Sequence, residues 1–433
     1  MTRPLSIAVT PSPPRFPIAN WRLANGLRVV VQPDRRWPLI ASTVCYDAGS
    51  RTDPAGRSGL THLCEHLAFY GPRRTGVRTY AERIESTGGS AQAATTSDRV
   101  CFSAVCSPAA LETVLTVEAE RMTSPWQAED AGALEIQRRI LLNELRQRSQ
   151  VRTRATAIEH LHRALFQEAH PYHRPPAGDA DGIRAVTSED VRAFASRIAP
   201  CNAVLVLTGD LSEDDAEILV QRIFANVPTG VERARDTSVQ RLVPPDAPAL
   251  RLPSAVSGTH AYVAWVIPGF GQEEWYRAAL LVRGLAAGRS SPLTRELVER
   301  GLAQEVHAHV VTMRDASTVM FVAVAARGID SLRLERGLSD ALDRLLSAGP
   351  SAGALERARR KALSDHYVAV QNLERRADLC ASMSCYLDAP ERLNEESARY
   401  LDQDANAIAA LAATLRRQPP HATLSLVPLT EAA

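Results

Sequence analysis

A twelve-residue segment occurs twice in this chain. AGALEIQRRILL at 131–142 returns as AGALERARRKAL at 352–363, identical at eight positions and offset by 221 residues. The pattern around it repeats as well. An apolar strand, Ala41–Tyr46 or Ala261–Ile267, precedes a helix ending at Gly71 or Gly288. A second helix, two strands and a further helix follow, the last at Ala109–Met122 or Ser331–Leu346. A duplicated pattern of this kind predicts two copies of one structural unit. The expected fold is α+β: two tandem homologous domains, each an antiparallel-rich sheet packed with helices. They join near Pro228–Pro248, which sets domains at 1–230 and 251–433 with a linker at 231–250. A chain of 433 residues is long enough for both to bury a core.

The chemistry is concentrated in His62-Leu63-Cys64-Glu65-His66. On a helix, His62 and His66 lie within about 40° of each other. Two imidazoles one turn apart can hold a single Zn²⁺ and leave room for a third ligand and water. Glu65 follows His62 by three residues and projects toward the same region, where it is suited to act as general base. The order H-x-x-E-H is the inverse of the commoner zincin order. The turn-rich loop Asp53–Gly59 opens the helix and Phe69-Tyr70-Gly71-Pro72 closes it. Leu60, Leu63, Leu67 and Phe69 supply a buried face. The duplicate has lost this set: aligning Gly71 with Gly288 puts Ala279, Val282 and Arg283 opposite His62, Glu65 and His66. At the repeated helix, Asp365 stands opposite Glu144.

A third ligand is expected from a second helix. Ala131–Gln150 reads as one, with Leu134, Ile140, Leu141 and Leu145 as its apolar stripe and Glu144 among them. A helical glutamate is ordinarily a solvated ion-pair partner. The metal motif upstream makes Glu144 the preferred ligand.

HLCEH followed by Glu144 in ILLNELRQR resembles peptidase family M16, the family of pitrilysin, insulin-degrading enzyme and the mitochondrial processing peptidase. WRLANGLRVVVQPD (Trp21–Asp34) resembles its opening strand, and STGGSAQAATTSDRVCF (Ser86–Phe102) its substrate-binding hairpin. HPYHRPPAGDADGI and NAVLVLTGDLS resemble later landmarks. The likeness is specific over the first half and weaker over the second. It implies the LuxS/MPP-like metallohydrolase type of fold and one Zn²⁺ per chain, held by His62, His66 and Glu144 with Glu65 activating water. It also implies an extended peptide substrate added as a strand along Ala91, Gln92, Ala93, Ala94 and Thr95.

Two departures stand out. Where the family has a second glutamate seven residues before the distal ligand, this chain has Gln137, which can hydrogen-bond a ligand but adds no charge. Gln92 replaces the usual asparagine of the hairpin. In the second half, the family's arginine and tyrosine, which hold the substrate backbone and stabilise the oxyanion, are replaced by Leu297 and Gln304. The preceding glycine-rich loop is reduced to Ala286–Pro292. Half-length family members pair as homodimers or heterodimers that enclose a chamber. The expected function is therefore a zinc endopeptidase subunit for unfolded or small peptides, such as leader peptides, pairing with a second M16-type chain. The other reading is a non-catalytic binding or assembly subunit that keeps the fold.

A net charge of +1 gives no electrostatic case for nucleic acid or membrane surfaces. No apolar run approaches the roughly 20 residues of a membrane span, and the proline-rich N-terminus lacks a signal-peptide core. Seven scattered cysteines without a C-x-x-C pair suggest reduced thiols and a cytoplasmic setting. Cys64, two residues from each histidine, is expected to pack in the core. His307 and His309, His160 and His162, Cys380 and Cys385, and the segment His170-Pro171-Tyr172 read as structural.

Overall fold

The computed structural model describes residues 14–70, 79–123, 131–151, 153–232 and 248–429. Two sheets organise it. The first contains β1 (Ala19–Arg22), β2 (Arg28–Pro33), β3 (Ile40–Tyr46), β4 (Ser90–Thr95), β5 (Val100–Cys106) and β6 (Ala203–Gly209), in the order β1-β2-β6-β3-β5-β4. The second contains β7 (Ala249–Ser254), β8 (His260–Pro268), β9 (Ala303–Val311), β10 (Ala316–Ala325) and β11 (Ala422–Pro428), in the order β7-β11-β8-β10-β9. Each sheet has one parallel pair, β2 with β6 and β7 with β11, and is otherwise antiparallel. This is the duplicated, antiparallel-rich α+β architecture that the repeat predicts. The repeated segment opens long helices in both halves, Ala131–Val151 and Ala352–Gln371. The Gly71-Pro72 helix stop and most of the linker, residues 233–247, lie outside the described residues.

Packing does not divide at the linker. β3, β6 and β10 are buried at every residue, so both faces of each sheet are covered. Each half covers one face with its own helices and the other with a helix from the opposite half. Ala157, Leu161 and Leu165 of the helix Thr153–Leu165 pack on Tyr262, Ala264, Val322 and Leu424 of the second sheet. In return, Ala377, Cys380 and Ala381 of the helix Leu373–Leu387 pack on Val30, Ala41, Val204 and Val206 of the first.

A buried ionic cluster fastens the halves. Arg51 pairs with Asp98 at 3.2 Å, both side chains 1% exposed, and also with Asp315 from the β9–β10 turn. The Arg314 backbone N–H donates to Asp98 at 2.9 Å, and its guanidinium meets Asp47 at 2.8 Å. Tyr172 joins both sides: its hydroxyl donates to Asp98 at 2.7 Å and accepts from the Asp315 N–H at 3.0 Å. The structural role read for His170-Pro171-Tyr172 is thus a clamp between halves. Removing one partner from such a buried cluster commonly costs about 3–5 kcal/mol.

One sequence expectation is corrected. Cys45 and Cys101 face each other across β3 and β5 and form a disulfide. They are 56 residues apart, so only the strand register reveals the pairing. Cys64, Cys106, Cys201, Cys380 and Cys385 are free thiols. Among the described residues, no helix is long and apolar enough to cross a membrane.

Candidate metal and peptide site

The motif lies on the helix Leu60–Tyr70, whose residues are buried from Leu60 through Phe69. Asp53 anchors its start. One carboxylate oxygen accepts from the Gly59 N–H at 2.7 Å; the other accepts from the Thr61 N–H at 2.9 Å and the Thr61 hydroxyl at 2.5 Å. Burial nevertheless pushes the Asp53 pKa up to about 6. The same helix start is pressed against Gly178 and the helix Ala180–Ala185. Gly59 adopts φ +100°, and a Cβ there would stand 2.6 Å from Ile183 Cγ1. Glycine at this position therefore meets both a backbone and a space requirement.

His62 and His66 are 7% and 8% exposed, with ring centroids 4.9 Å apart. Glu144, from the helix Ala131–Val151, brings Oε2 to 3.7 Å from His66 Nε2. One ligand atom from each of these three residues lies within 4.8 Å of the others, the only such group of three or more His, Cys, Asp or Glu among the described residues. The Nδ1 atoms of His62 and His66 are buried without hydrogen-bond partners. Burial is the main force lowering both imidazole pKa values, His62 to about 4. Both rings are consequently neutral lone-pair donors near pH 7. The three residues suit a tetrahedral N/N/O site with one position left open.

Glu65 is 8% exposed and lies in the same cleft. Its Oε2 accepts a 2.8 Å hydrogen bond from the Thr95 hydroxyl. Its other oxygen makes no hydrogen bond among the described residues. Burial raises its pKa to about 7, with Thr95 opposing the shift and Glu144 adding to it. Cys64 is fully buried, and desolvation drives its thiol well above its ordinary pKa. It belongs to the core.

The cleft has a volume of about 470 Å³. Its wall is β4, which pairs with β5 on one side and forms the edge of the first sheet. All five residues Ala91, Gln92, Ala93, Ala94 and Thr95 line it beside His62, Glu65, His66 and Glu144. Ala91 and Ala93 pack partly on the core, while Gln92 faces away and its amide donates to Glu374 of the opposite half. Gln137 is 4% exposed. Its amide oxygen lies near enough to His66 to favour the protonated ring, yet neither that oxygen nor His66 Nδ1 has a hydrogen-bond partner of good geometry. The two groups are neighbours without a formed bond.

Three residues of the cleft escaped the sequence reading. Arg148 pairs with Glu144 Oε1 at 2.9 Å, leaving Oε2 on the histidine side. Its i+4 spacing is a visible signal. Tyr70 contacts the His66 ring edge-on at 5.7 Å, and Ala177 brings a backbone carbonyl beside His62. Tyr70, four residues after His66 on the same helix, had the same visible spacing; Ala177, on a distant loop, carried no such signal. The family's arginine and tyrosine positions are placed differently. Leu297 is fully buried in the second core, and Gln304 is exposed on β9.

Residues 28–175 match the sequence profile of the insulinase family, peptidase family M16, and residues 185–362 match that of the peptidase M16 inactive domain. Zinc protease PqqE of Helicobacter pylori is 26% identical over 419 residues, covering 94% of this chain and 92% of that one. The probable mitochondrial-processing peptidase subunit beta of Schizosaccharomyces pombe is 25% identical over 212 residues, covering 49% and 46%. The crystal structure of a protease from Helicobacter pylori matches with a TM-score of 0.86 at 23% identity, covering 96% of this chain and all of that one. With both domains matched in order and the same fold throughout, this chain belongs to peptidase family M16.

Proposed function

We propose that the chain is a zinc-dependent endopeptidase subunit acting on unfolded or small peptides. The observation that carries this reading is the convergence of His62, His66 and Glu144 within 4.8 Å, beside Glu65 and an edge strand. His62, His66 and Glu144 would hold one Zn²⁺, whose buried neutral imidazoles and single carboxylate suit its preference. When bound, Zn²⁺ supplies Lewis acidity, which acidifies water and polarises a peptide carbonyl. Relatives named as zinc proteases support the same metal.

The chain's own residues then have distinct tasks. Arg148 occupies one oxygen of Glu144 and orients the other toward His66. Gln137 sits beside His66. Glu65 takes a proton from the attacking water and returns it to the departing amine, a role suited to a carboxyl with a pKa near neutrality. The free edge of β4 holds the substrate by backbone hydrogen bonds, a mode tolerant of side-chain sequence. Leader peptides and peptides destined for turnover both fit it.

Leu297 and Gln304 leave the chain without the charged and phenolic donors its family uses in the second half. We infer a paired enzyme, in which a second M16 chain supplies them. The cytoplasmic setting expected from unpaired thiols loses its support with Cys45–Cys101 and is not part of this reading.

Elemental analysis and a quenched-peptide assay test the proposal together. Purified protein carries about one zinc, His66→Ala and Glu144→Ala lose it, and Glu65→Gln keeps it while losing most cleavage. Full zinc in both ligand variants removes the assignment. A zinc-loaded chain that cleaves nothing, alone or with its partner, leaves the non-catalytic assembly role.

A further inference from the structure

The duplication sets Arg283 opposite His66 and Asp365 opposite Glu144, and the structure brings that second pair together. Arg283 Nε stands 3.6 Å from Asp365 Oδ2, against 3.7 Å between His66 Nε2 and Glu144 Oε2. The second domain thus keeps the helix-to-helix approach of the metal site with a guanidinium in place of an imidazole. Ala279 and Val282, opposite His62 and Glu65, are buried. A fixed cation has replaced a cation-binding site.

This place is not sealed. A cavity of about 600 Å³ between the two halves is lined by Arg283 and Asp365, and it shares Thr95 and Pro176 with the metal-site cleft. Two more donors line it. Tyr400 lies under the Arg283 guanidinium, 5.8 Å from ring centroid to Cζ, and its hydroxyl makes no hydrogen bond among the described residues. Burial raises its pKa, so the phenol remains an O–H donor. Trp275, 7% exposed, has its ring centroid 6.4 Å from that of Tyr400, and its Nε1 is buried without a partner.

We propose that Arg283, Tyr400 and Trp275 form an anion subsite that takes a carboxylate of the bound peptide. The charges around it permit this. Lys361 also pairs with Asp365, so Arg283, Lys361 and Asp365 together carry one net positive charge. The other carboxylates lining the cavity are already engaged or held toward neutrality. Glu396 accepts the Tyr276 hydroxyl at 2.5 Å beside Arg392, Arg399 and Glu395. Asp98 pairs with Arg51, Asp378 pairs with Arg99, and burial raises the Glu159 pKa. A guanidinium with adjoining O–H and N–H donors binds carboxylates through charge-assisted hydrogen bonds. Its cavity adjoins the metal-site cleft at Thr95 and Pro176, so the subsite is placed to read a group on the same peptide, away from the bond to be cut. Either the C-terminal carboxylate or an Asp or Glu side chain supplies that chemistry.

The subsite's ligand being a peptide rests on the peptidase reading, so the test uses binding rather than turnover. Full-length Glu65→Gln protein is titrated by fluorescence anisotropy with three labelled unstructured peptides: a C-terminal free acid, its C-terminal amide, and the amide carrying one internal aspartate. The free acid or the aspartate peptide should bind about 10-fold tighter than the plain amide, the usual scale of one charge-assisted contact. Which of the two gains identifies the carboxylate. Arg283→Gln should bring the ratio to about one, and Arg283→Lys should keep part of it, with thermal melts confirming that both variants fold. Equal affinity for all three peptides, binding of none, or an undiminished preference in folded Arg283→Gln overturns the subsite. A protein that shows the Arg283-dependent preference, yet cleaves nothing when Glu65 is intact, keeps the subsite and loses the peptidase reading.

Discussion

Thr95 Oγ1 donates a 2.8 Å hydrogen bond to Glu65 Oε2, so the last residue of the edge strand holds the carboxyl proposed as the acid–base group of the cleft. In the proposed peptidase, substrate docking and proton transfer would share this one hydrogen-bonded pair. A bond to a charged group contributes about 1.5–3 kcal/mol. Thr95→Val should lower kcat by roughly 10-fold or more while zinc content stays at wild-type level. Steady-state kinetics with metal analysis check this; unchanged kcat would leave Thr95 with only a packing role.

Gln137 offers a direct test of what lies behind His66. Its amide oxygen and His66 Nδ1 are neighbours, and both lack a partner. A carboxylate there would accept the Nδ1–H and strengthen the opposite nitrogen as a ligand, an effect commonly worth about 10–100-fold in metal affinity. Gln137→Glu should therefore tighten zinc in a chelator competition. An unchanged dissociation constant would show that the position is packing only.

Dependence on a partner follows from Leu297 and Gln304. Leu297 is apolar and fully buried, and Gln304 offers a neutral amide where the family has a phenol, so the charged guanidinium and the phenolic donor are both missing. Losing one such donor typically slows a reaction by about 10²–10³. The isolated chain should cleave a quenched peptide poorly. A second M16 chain with Arg and Tyr at the matching positions should form a heterodimer with it and raise the rate by orders of magnitude. Equal rates for a homodimer verified by light scattering and for the mixture would end the split-site reading.

The acid stability of the fold should bear the mark of His162. Burial lowers its pKa from 6.5 to about 4. The unfolded chain therefore takes up this proton first as pH falls. The stability difference is absent above pH 6.5 and develops as pH falls toward 4. It amounts to about 3 kcal/mol at full extent. His170 and His309 are lowered likewise, so their losses fall in the same window. Urea unfolding of His162→Gln should show a shallower decline between pH 6.5 and 4 than the parent. Parallel curves would contradict the assignment.

The elements that repeat at short range were legible before the fold. Helical spacing put His62 and His66 on one face, and the duplicated segment fixed the α+β plan. Aligning Gly71 with Gly288 set Arg283 opposite His66, the duplicated segment set Asp365 opposite Glu144, and the structure brings Arg283 and Asp365 together. Arg148 was within reach of the same reasoning, four residues from Glu144. These features depend on residues a turn or two apart, or on one pattern occurring twice, and periodicity reports both.

What stayed hidden depends on residues that meet only when distant segments pack. The exchange of helices Thr153–Leu165 and Leu373–Leu387 between sheets leaves no local mark, because an apolar helix face reads the same whichever sheet it covers. Cys45 with Cys101 required strand register, and Asp53 and Thr95 took their roles only once the helix start and the edge strand were folded around Glu65 and the histidines. The sequence by itself determined which side chains could hold a metal and move a proton. Tertiary structure decided how those groups are oriented, how far burial shifts their pKa values, and which cavity of the second domain adjoins them. Distance and desolvation are properties of the packed chain, and no spacing along the sequence specifies them.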